Sequence, residues 1–145
     1  MRKTKTINKI LKLKDNRKKE IEIEVKKAAD RADAEKIRLQ ALEKDFTDML
    51  TFFNEKHAEG SLNAGNLVSC YDFFSRINGK INEQQQVHSQ CVKELTSLKN
   101  TLVTAHKEKK VFEILNDRAV KNNNKERLDS EQKENDFYAI SRRVR

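Results

Sequence analysis

Residues that punctuate ordinary globular domains are scarce in this chain of 145 residues, which has no proline, no tryptophan and three glycines. Proline and glycine mark most turns, so a chain almost without them has few places at which a helix is forced to end. Aromatic residues make up only 6% of the sequence, which is little for a globular core of this size. These absences exclude a fold of many short elements and favour a few long helices.

Cysteines and long apolar runs are scarce too. The two cysteines, Cys70 and Cys91, are widely spaced, which predicts reduced, buried thiols rather than a disulfide framework. No apolar run approaches the ~20 residues that a membrane span requires, and no signal-peptide core follows the basic start. We therefore expect a cytoplasmic protein with no direct insertion into a membrane.

Apolar residues recur at alternating steps of three and four, and the resulting seven-residue period is typical of a coiled coil. Each of two series has eleven apolar residues among fourteen positions. The first series is Ile7, Leu11, Lys14, Lys18, Ile21, Val25, Ala28, Ala32, Glu35, Leu39, Leu42, Phe46, Met49 and Phe53. The second is Leu67, Cys70, Phe74, Ile77, Ile81, Gln84, His88, Cys91, Leu95, Leu98, Leu102, Ala105, Lys109 and Phe112.

A single strong turn signal separates the two series, because residues 58–66 hold two of the three glycines. The pattern predicts a helix over about 6–56, a turn over about 58–66 and a helix over about 67–140 that ends in a frayed C-terminal tail. Asn66 is the candidate cap of the second helix. We predict an all-α fold, a long antiparallel two-helix coiled-coil hairpin that forms one domain over residues 1–145.

An antiparallel register that places Leu42 opposite Ile81 also places Glu35 opposite His88. The acid of the first series would then meet the histidine of the second, which reduces the cost of burying either group. We call the line of positions along which the two helices would meet the seam. The same register sets two lysines, Lys14 and Lys109, opposite each other, and their long side chains would have to reach out of the seam.

The net charge of +8 is concentrated at the N-terminus, where nine basic residues between Arg2 and Lys19 accompany one acid, Asp15. A solvated helix face is the simplest interpretation, and an acidic protein partner is the next. A structural or nucleic-acid-binding basic coiled coil is the alternative. Nucleic-acid binding is disfavoured because no aromatic residues interleave with the basic run, so we expect no nucleic-acid partner.

Groups with the potential for chemistry fall on the seam. His88 and Cys91 lie three residues apart on one helix face, a spacing that two metal ligands can use. Both occupy seam positions, however, and no second pair completes a metal site. A two-helix coil also offers no cleft in which to shift a pKa, and no phosphate-binding loop or nucleophile motif is present. We predict no enzyme activity, metal or cofactor.

Aromatic residues concentrate on both sides of the predicted turn. Phe46, Phe53 and Phe74 fit the seam, whereas Phe52 and Phe73 lie just outside it. A two-helix hairpin has no third layer to cover these two rings. The cluster is therefore either packing at the end of the hairpin or an exposed patch for a partner protein.

Several segments of the second helix resemble the FliJ family, a component of flagellar type III protein export with relatives in injectisomes. The segments are Tyr71-Asp72-Phe73-Phe74, Ile77 with Ile81, Gln85, the run from Ala105-His106-Lys107 to Glu113-Ile114-Leu115, Glu126-Arg127, Glu131-Gln132-Lys133 and Asp136-Phe137-Tyr138-Ala139. The resemblance extends over about residues 11–143. Phe137 departs from it, because family members often carry an acid at that position.

The resemblance implies a fold similar to the coiled-coil stalk of the rotary ATPase gamma subunit. It also implies a regulator that enters the pore of the hexameric export ATPase, promotes its activity, links it to the membrane export gate and handles export chaperones, in support of flagellum biogenesis, motility and chemotaxis. We expect a monomer when isolated, and a cytoplasmic protein peripherally associated with the inner membrane at the flagellar base.

Two sets of residues are candidates for these contacts. The candidates for the ATPase are basic and belong to the end that carries both termini: Lys9, Lys12, Arg17, Lys18, Lys19, Arg142 and Arg143. The candidates for the export gate or the chaperones belong to the turn end: Phe46, Phe52, Phe53, Tyr71, Phe73, Phe74 and Ile81.

Overall fold

Two helices account for almost the whole chain in the computed structural model, which describes residues 2–144 and the side chains of residues 2–143. Helix α1 spans Arg2–Ala58 and helix α2 spans Ala64–Val144. No strand occurs among these residues, and the two helices pack antiparallel against each other, which confirms the predicted all-α coiled-coil hairpin. Both helices extend beyond the predicted bounds, and α2 continues past residue 140.

The predicted seam is the buried surface of the hairpin. All fourteen predicted positions of α1 and all fourteen of α2 are buried or half-buried. The most buried side chains are Ile21, Ala28, Ala32, Cys70, Ile77 and Ala105. Contacts divide the chain into two units, which we call the terminal unit (residues up to Glu22 and from Thr101 onward) and the turn unit (Ile23–Asn100).

Helix α1 ends in a Schellman motif at Gly60. The amide of Ser61 donates to the carbonyl of Lys56 at 3.0 Å, and the amide of Gly60 donates to that of His57 at 3.1 Å. This reversal requires a left-handed backbone, and Gly60 supplies it with a φ of +70°. A glycine is needed here because a Cβ atom is disfavoured in that conformation.

Helix α2 begins at a cap three residues earlier than predicted. The side-chain Oδ1 of Asn63 accepts a hydrogen bond from the amide of Asn66 at 2.8 Å. The carbonyl of Asn63 accepts the amide of Leu67 at 3.0 Å, the first bond of the helix. The prediction of Asn66 as the cap was therefore wrong: Asn66 is the third residue of the helix, and its amide is the group that the Asn63 side chain satisfies.

The acid in the seam of the turn unit is satisfied by an amide rather than by a histidine. The Nε2 of Gln84 donates to the backbone carbonyl of Glu35 at 3.0 Å and also to its carboxylate. Arg38 lies one turn along α1 and holds the same carboxylate at 2.8 Å. The predicted pairing of Glu35 with His88 is thus replaced by a pairing with Gln84, one turn earlier on α2.

Two ion pairs cross the seam of the terminal unit where the sequence predicted opposed lysines. Lys14 Nζ lies 3.0 Å from the carboxylate of Glu108, and Lys109 Nζ lies 2.7 Å from that of Asp15. Each lysine thus reaches out of the seam to an acid on the other helix, and that acid is the sequence neighbour of the opposing lysine. The hydrogen bond from Lys109, followed by that from Lys19, lowers the pKa of Asp15. The same bond to Asp15 raises the pKa of Lys109.

The seam of the terminal unit continues for three further positions beyond Phe112. Asn116, Ala119 and Asn123 keep the spacing and are half-buried. Asn123 Nδ2 donates to Thr4 Oγ1 at 2.7 Å, a hydrogen bond between the two helices. From residue 124 to residue 143, every side chain except that of Ser141 is exposed, although the backbone stays helical.

Gly79→Ala should stabilise the hairpin by about 1 kcal/mol, because alanine is the better residue inside a helix and the added Cβ meets no atom within 4 Å. Gly60→Ala is the matched control: its added Cβ is equally unobstructed, but its φ of +70° disfavours any side chain. It should destabilise by about 1 kcal/mol or more. Urea unfolding followed by circular dichroism measures both changes, and shifts in the same direction would contradict this account.

Asp15→Asn should lower the melting temperature at neutral pH and have little effect in acid. The pKa of Asp15 is lowered in the folded chain, so its contribution is present above the ordinary value of 3.8 and is lost as the pH falls through the folded pKa. Lys109 has a raised pKa, so its contribution is present below 10.5 and is lost as the pH rises through the folded pKa.

The measurement is the melting temperature of both proteins between acid and neutral pH. Glu20→Gln is the control, since Glu20 pairs within α1 with Arg17 at 3.6 Å and does not cross the seam. A difference between Asp15→Asn and the parent that persists unchanged in strong acid would show that the charge of Asp15 is not its source.

Candidate protein-docking surfaces

Three of the candidate ATPase-binding cations are paired with acids of their own helix. The ion-pair distances are 3.6 Å for Arg17 with Glu20, 3.7 Å for Lys18 with Glu22 and 3.1 Å for Lys19 with Asp15. Lys18 is also half-buried in the seam. These cations are less available to a partner than the sequence alone suggested, because a partner must first compete with a local carboxylate.

Lys9 and Lys12 differ from these three candidate cations of α1. Both are exposed, and neither has an ion-pair partner among residues 2–143. They line a groove of about 640 Å³ with Asn8, Leu11, Asp15, Lys109 and Glu113, which we call the charged groove. Its acids are already held by Lys109, so the two free lysines give it a surplus of positive charge.

Arg142 and Arg143 lie on the exposed end of α2, which we call the tail (residues 124–143). The tail carries Phe137, Tyr138 and Ile140 with exposed fractions of 67%, 63% and 63%. The structure does not bring the two arginines beside the charged groove. They follow Asn123, which is bonded to Thr4, by about 20 residues, or roughly 30 Å of helix.

Four candidate residues of the turn end lie in the seam. The ring of Phe74 makes edge-to-face contacts with those of Phe46 and Phe53, at centroid distances of 5.4 Å and 6.1 Å. Ile81 is half-buried one heptad further along α2. These side chains pack in the seam of the turn unit, so much of their surface is already covered.

Phe52 and Phe73, which the sequence placed outside the seam, line an open groove of about 450 Å³. The ring of Phe52 is 48% exposed, and Phe73 is half-buried against Phe74, with ring centroids 6.0 Å apart. The groove also contains Met49, Leu62 and Cys70. We call it the turn-end groove. Tyr71 is 68% exposed but does not line it.

The sequence pattern did not predict that Leu62, Met49 and Cys70 line the turn-end groove. Leu62 belongs to the turn and was treated only as part of a break, although it is the one large apolar residue there and is half-buried. Met49 and Cys70 were assigned to the seam, and each also lines the groove beside it. The apolar residue in an otherwise polar turn was the available signal, since such a residue packs back on the helix ends.

Metal ligands, thiols and membrane-spanning segments are the other features of a chain that could bear on its function. No group of three or more histidine, cysteine, aspartate or glutamate residues within the described range is placed to hold a metal ion. Cys70 and Cys91 are free thiols. No helix over residues 2–144 combines the length and the apolar character of a membrane span.

Comparison with known proteins assigns the family. The family model described as "Flagellar FliJ protein" matches residues 3–145, which is nearly the whole chain. No curated protein and no solved structure matches the chain. The two long packed helices agree with the fold that the resemblance implied. The chain therefore belongs to the flagellar FliJ family, and is a non-catalytic component of flagellar type III protein export.

Proposed function

We propose that this chain is a stalk-like adaptor of the export apparatus, which binds the hexameric export ATPase and promotes its activity. It also links the ATPase to the membrane export gate and handles export chaperones. In this role it works in the cytoplasm and is peripherally associated with the inner membrane at the flagellar base. The tail is the observation that carries the proposal.

The tail is a helix whose side chains are all exposed except that of Ser141, so it packs against no second helix among residues 2–143. An isolated helix of about 20 residues is marginally stable in water, because most helical stability in proteins comes from packing of an apolar face. The tail has large apolar side chains that could form such a face, since Phe137 and Ile140 are more than 60% exposed. Entry into a narrow protein pore would bury them and order the segment, and the new contacts would offset the ordering entropy.

Free positive charge supports the same assignment. Lys9, Lys12, Arg142 and Arg143 are exposed, and none has an ion pair within the described chain. Acidic or polar loops at the mouth of the ATPase pore are the complementary surface. Charges at the rim of an interface chiefly raise the association rate and its sensitivity to salt, so each residue alone has a small effect.

The turn-end groove suits a different kind of partner. It is largely apolar, and Phe52 and Phe73 provide aromatic walls of the kind that dominate binding energy at protein interfaces. We assign the export gate or the chaperones to this surface. Phe46, Phe53 and Phe74 serve it indirectly, since Phe74 packs against Phe73 and contacts the other two rings in the seam.

Reversing four unpaired charges together (Lys9, Lys12, Arg142 and Arg143 to Glu) should weaken stimulation of the cognate ATPase by about tenfold at low salt. The gap from the parent protein should narrow at high salt, because screening reduces the charge contribution. Truncation after Asn124 should also reduce stimulation while leaving the melting temperature nearly unchanged, since the removed side chains between residues 125 and 143 are all exposed except that of Ser141. The measurement is ATP turnover at two salt concentrations.

The control reverses four exposed lysines of the turn unit: Lys26, Lys27, Lys36 and Lys44 to Glu. It changes the net charge by the same amount, but all four residues lie on α1 and away from both termini in sequence. Stimulation should be retained. Equal loss in both variants would attribute the effect to net charge alone, and equal stimulation by all variants would rule out the terminal unit as the ATPase-binding element.

A further inference from the structure

Exposed aliphatic side chains occur on both helices of the terminal unit, outside the seam. The exposed fractions are 67% for Leu13, 54% for Val111, 52% for Ile114 and 42% for Leu115, while Ile10 is half-buried. Scattered exposed aliphatic residues are normal on proteins, but a contiguous group usually marks a contact surface. Whether these five form one group depends on the register of the two helices.

The ion pairs across the seam fix that register. Lys14 bonds Glu108, and Asp15 bonds Lys109. On α1, Ile10 precedes Lys14 by one turn, and Leu13 precedes it by one residue, on the side away from Asp15. On α2, Leu115 follows Glu108 by one heptad, on the side away from Lys109.

Ile10 and Leu13 on α1 therefore lie on the same flank of the seam as Leu115 on α2, the flank that carries the Lys14–Glu108 pair. Val111 and Ile114 complete the group, because they lie four and one residues before Leu115 on α2. The other flank is the charged groove, which none of the five residues lines. We call the group of Ile10, Leu13, Val111, Ile114 and Leu115 the aliphatic flank.

The spacing within the aliphatic flank suits a helix as its partner. Val111, Ile114 and Leu115 have the i, i+3, i+4 spacing with which one helix face meets another. Leu13 and Ile10 add a second row from α1, so the flank resembles the shallow trough between two helices into which a third helix packs. The side chains are aliphatic and lack aromatic rings, which distinguishes this surface from the turn-end groove.

Positive charges surround the aliphatic flank at heptad positions. Lys107 and Lys121 lie one heptad before and after Ile114, Arg118 follows Val111 by a heptad, and Lys3 precedes Ile10 by a heptad. None of these four cations has an ion-pair partner among residues 2–143.

The acids at equivalent positions are already neutralised. Glu108 is bonded to Lys14 at 3.0 Å and Glu20 to Arg17 at 3.6 Å. A surface with an aliphatic centre and an unpaired basic rim is complementary to an aliphatic stripe edged with carboxylates.

We propose that the aliphatic flank is a docking site for an acidic amphipathic helix of another protein. The bound helix packs its aliphatic stripe against Leu13, Val111 and Ile114, and its carboxylates pair with the basic rim. The inference does not depend on the ATPase role, because it rests on one flank of the terminal unit and requires neither the tail nor the charged groove.

The test is direct binding of a synthetic peptide to the full chain, followed by fluorescence anisotropy. The probe is an amphipathic helix of about 21 residues, or three heptads, with leucines on one face and glutamates beside them. Its twin has lysine in place of every glutamate. We expect binding of the acidic peptide with a micromolar Kd that weakens as salt is raised, and no binding of the basic twin.

Replacing Leu13, Val111 and Ile114 by Gln should weaken binding about tenfold or more, since these side chains form the centre of the site. The matched control replaces Ile23, Ile37 and Val68 by Gln, which are exposed to a similar extent, at 56%, 65% and 61%. The control should bind within about twofold of the parent chain. Both triple variants should keep the parent's melting temperature, because they alter exposed positions.

Several results would overturn the proposal. One is no binding of the acidic peptide; another is equal binding of its basic twin. A third is equal loss in both triple variants. Sedimentation that shows a dimer abolished only by the Leu13, Val111 and Ile114 variant would identify a second copy as the occupant. Binding to phosphatidylglycerol vesicles that is lost in the same variant would identify a lipid surface instead.

Discussion

Burial of side chains along a seam with a seven-residue period is the constraint on which the rest of this structure depends. Two helices without a third layer can bury only the side chains that face each other, and even there few are fully covered: Ile21 is 1% exposed and Ile77 is 5% exposed. Off the seam, no residue from 2 to 143 is buried, and each faces solvent or a shallow groove. Recognition must therefore use grooves, flanks and helix ends, because there is no interior in which to build a closed site.

Polar residues at seam positions make the two units different. The turn unit closes with the edge-to-face rings of Phe46, Phe53 and Phe74, and the one acid at its seam, Glu35, is satisfied by Gln84. The terminal unit instead places Lys14 and Lys109 at the seam and satisfies them with carboxylates beside it. Burial of aromatic rings hardly depends on pH or salt, whereas partly exposed ion pairs are sensitive to both. Solution conditions should thus affect the terminal unit more.

The seam and the hairpin were predictable because both depend on periodicity, which the sequence states directly. Individual partners were not. Glu35 bonds Gln84 rather than His88, because a long amide side chain reaches across a turn and residue spacing does not fix which donor arrives. The cap at Asn63 and the packing of Leu62 depend on the path of a short turn, which Gly60 determines through its backbone angle. The sequence likewise did not show which candidate cations are held by carboxylates and which are unpaired, because side-chain conformation decides which ion pairs form.

The heptad also explains how one short hairpin can hold several unlike surfaces. Seam positions determine the fold, while the positions on either flank are free to vary, since their side chains are not needed to hold the helices together. In the terminal unit one flank is the charged groove and the other is aliphatic, although both border the same seam. A substitution at Leu13 alters one flank and leaves the Asp15–Lys109 pair on the other intact. The proposed adaptor role requires this independence, because each site can then change without loss of the fold or of the other sites.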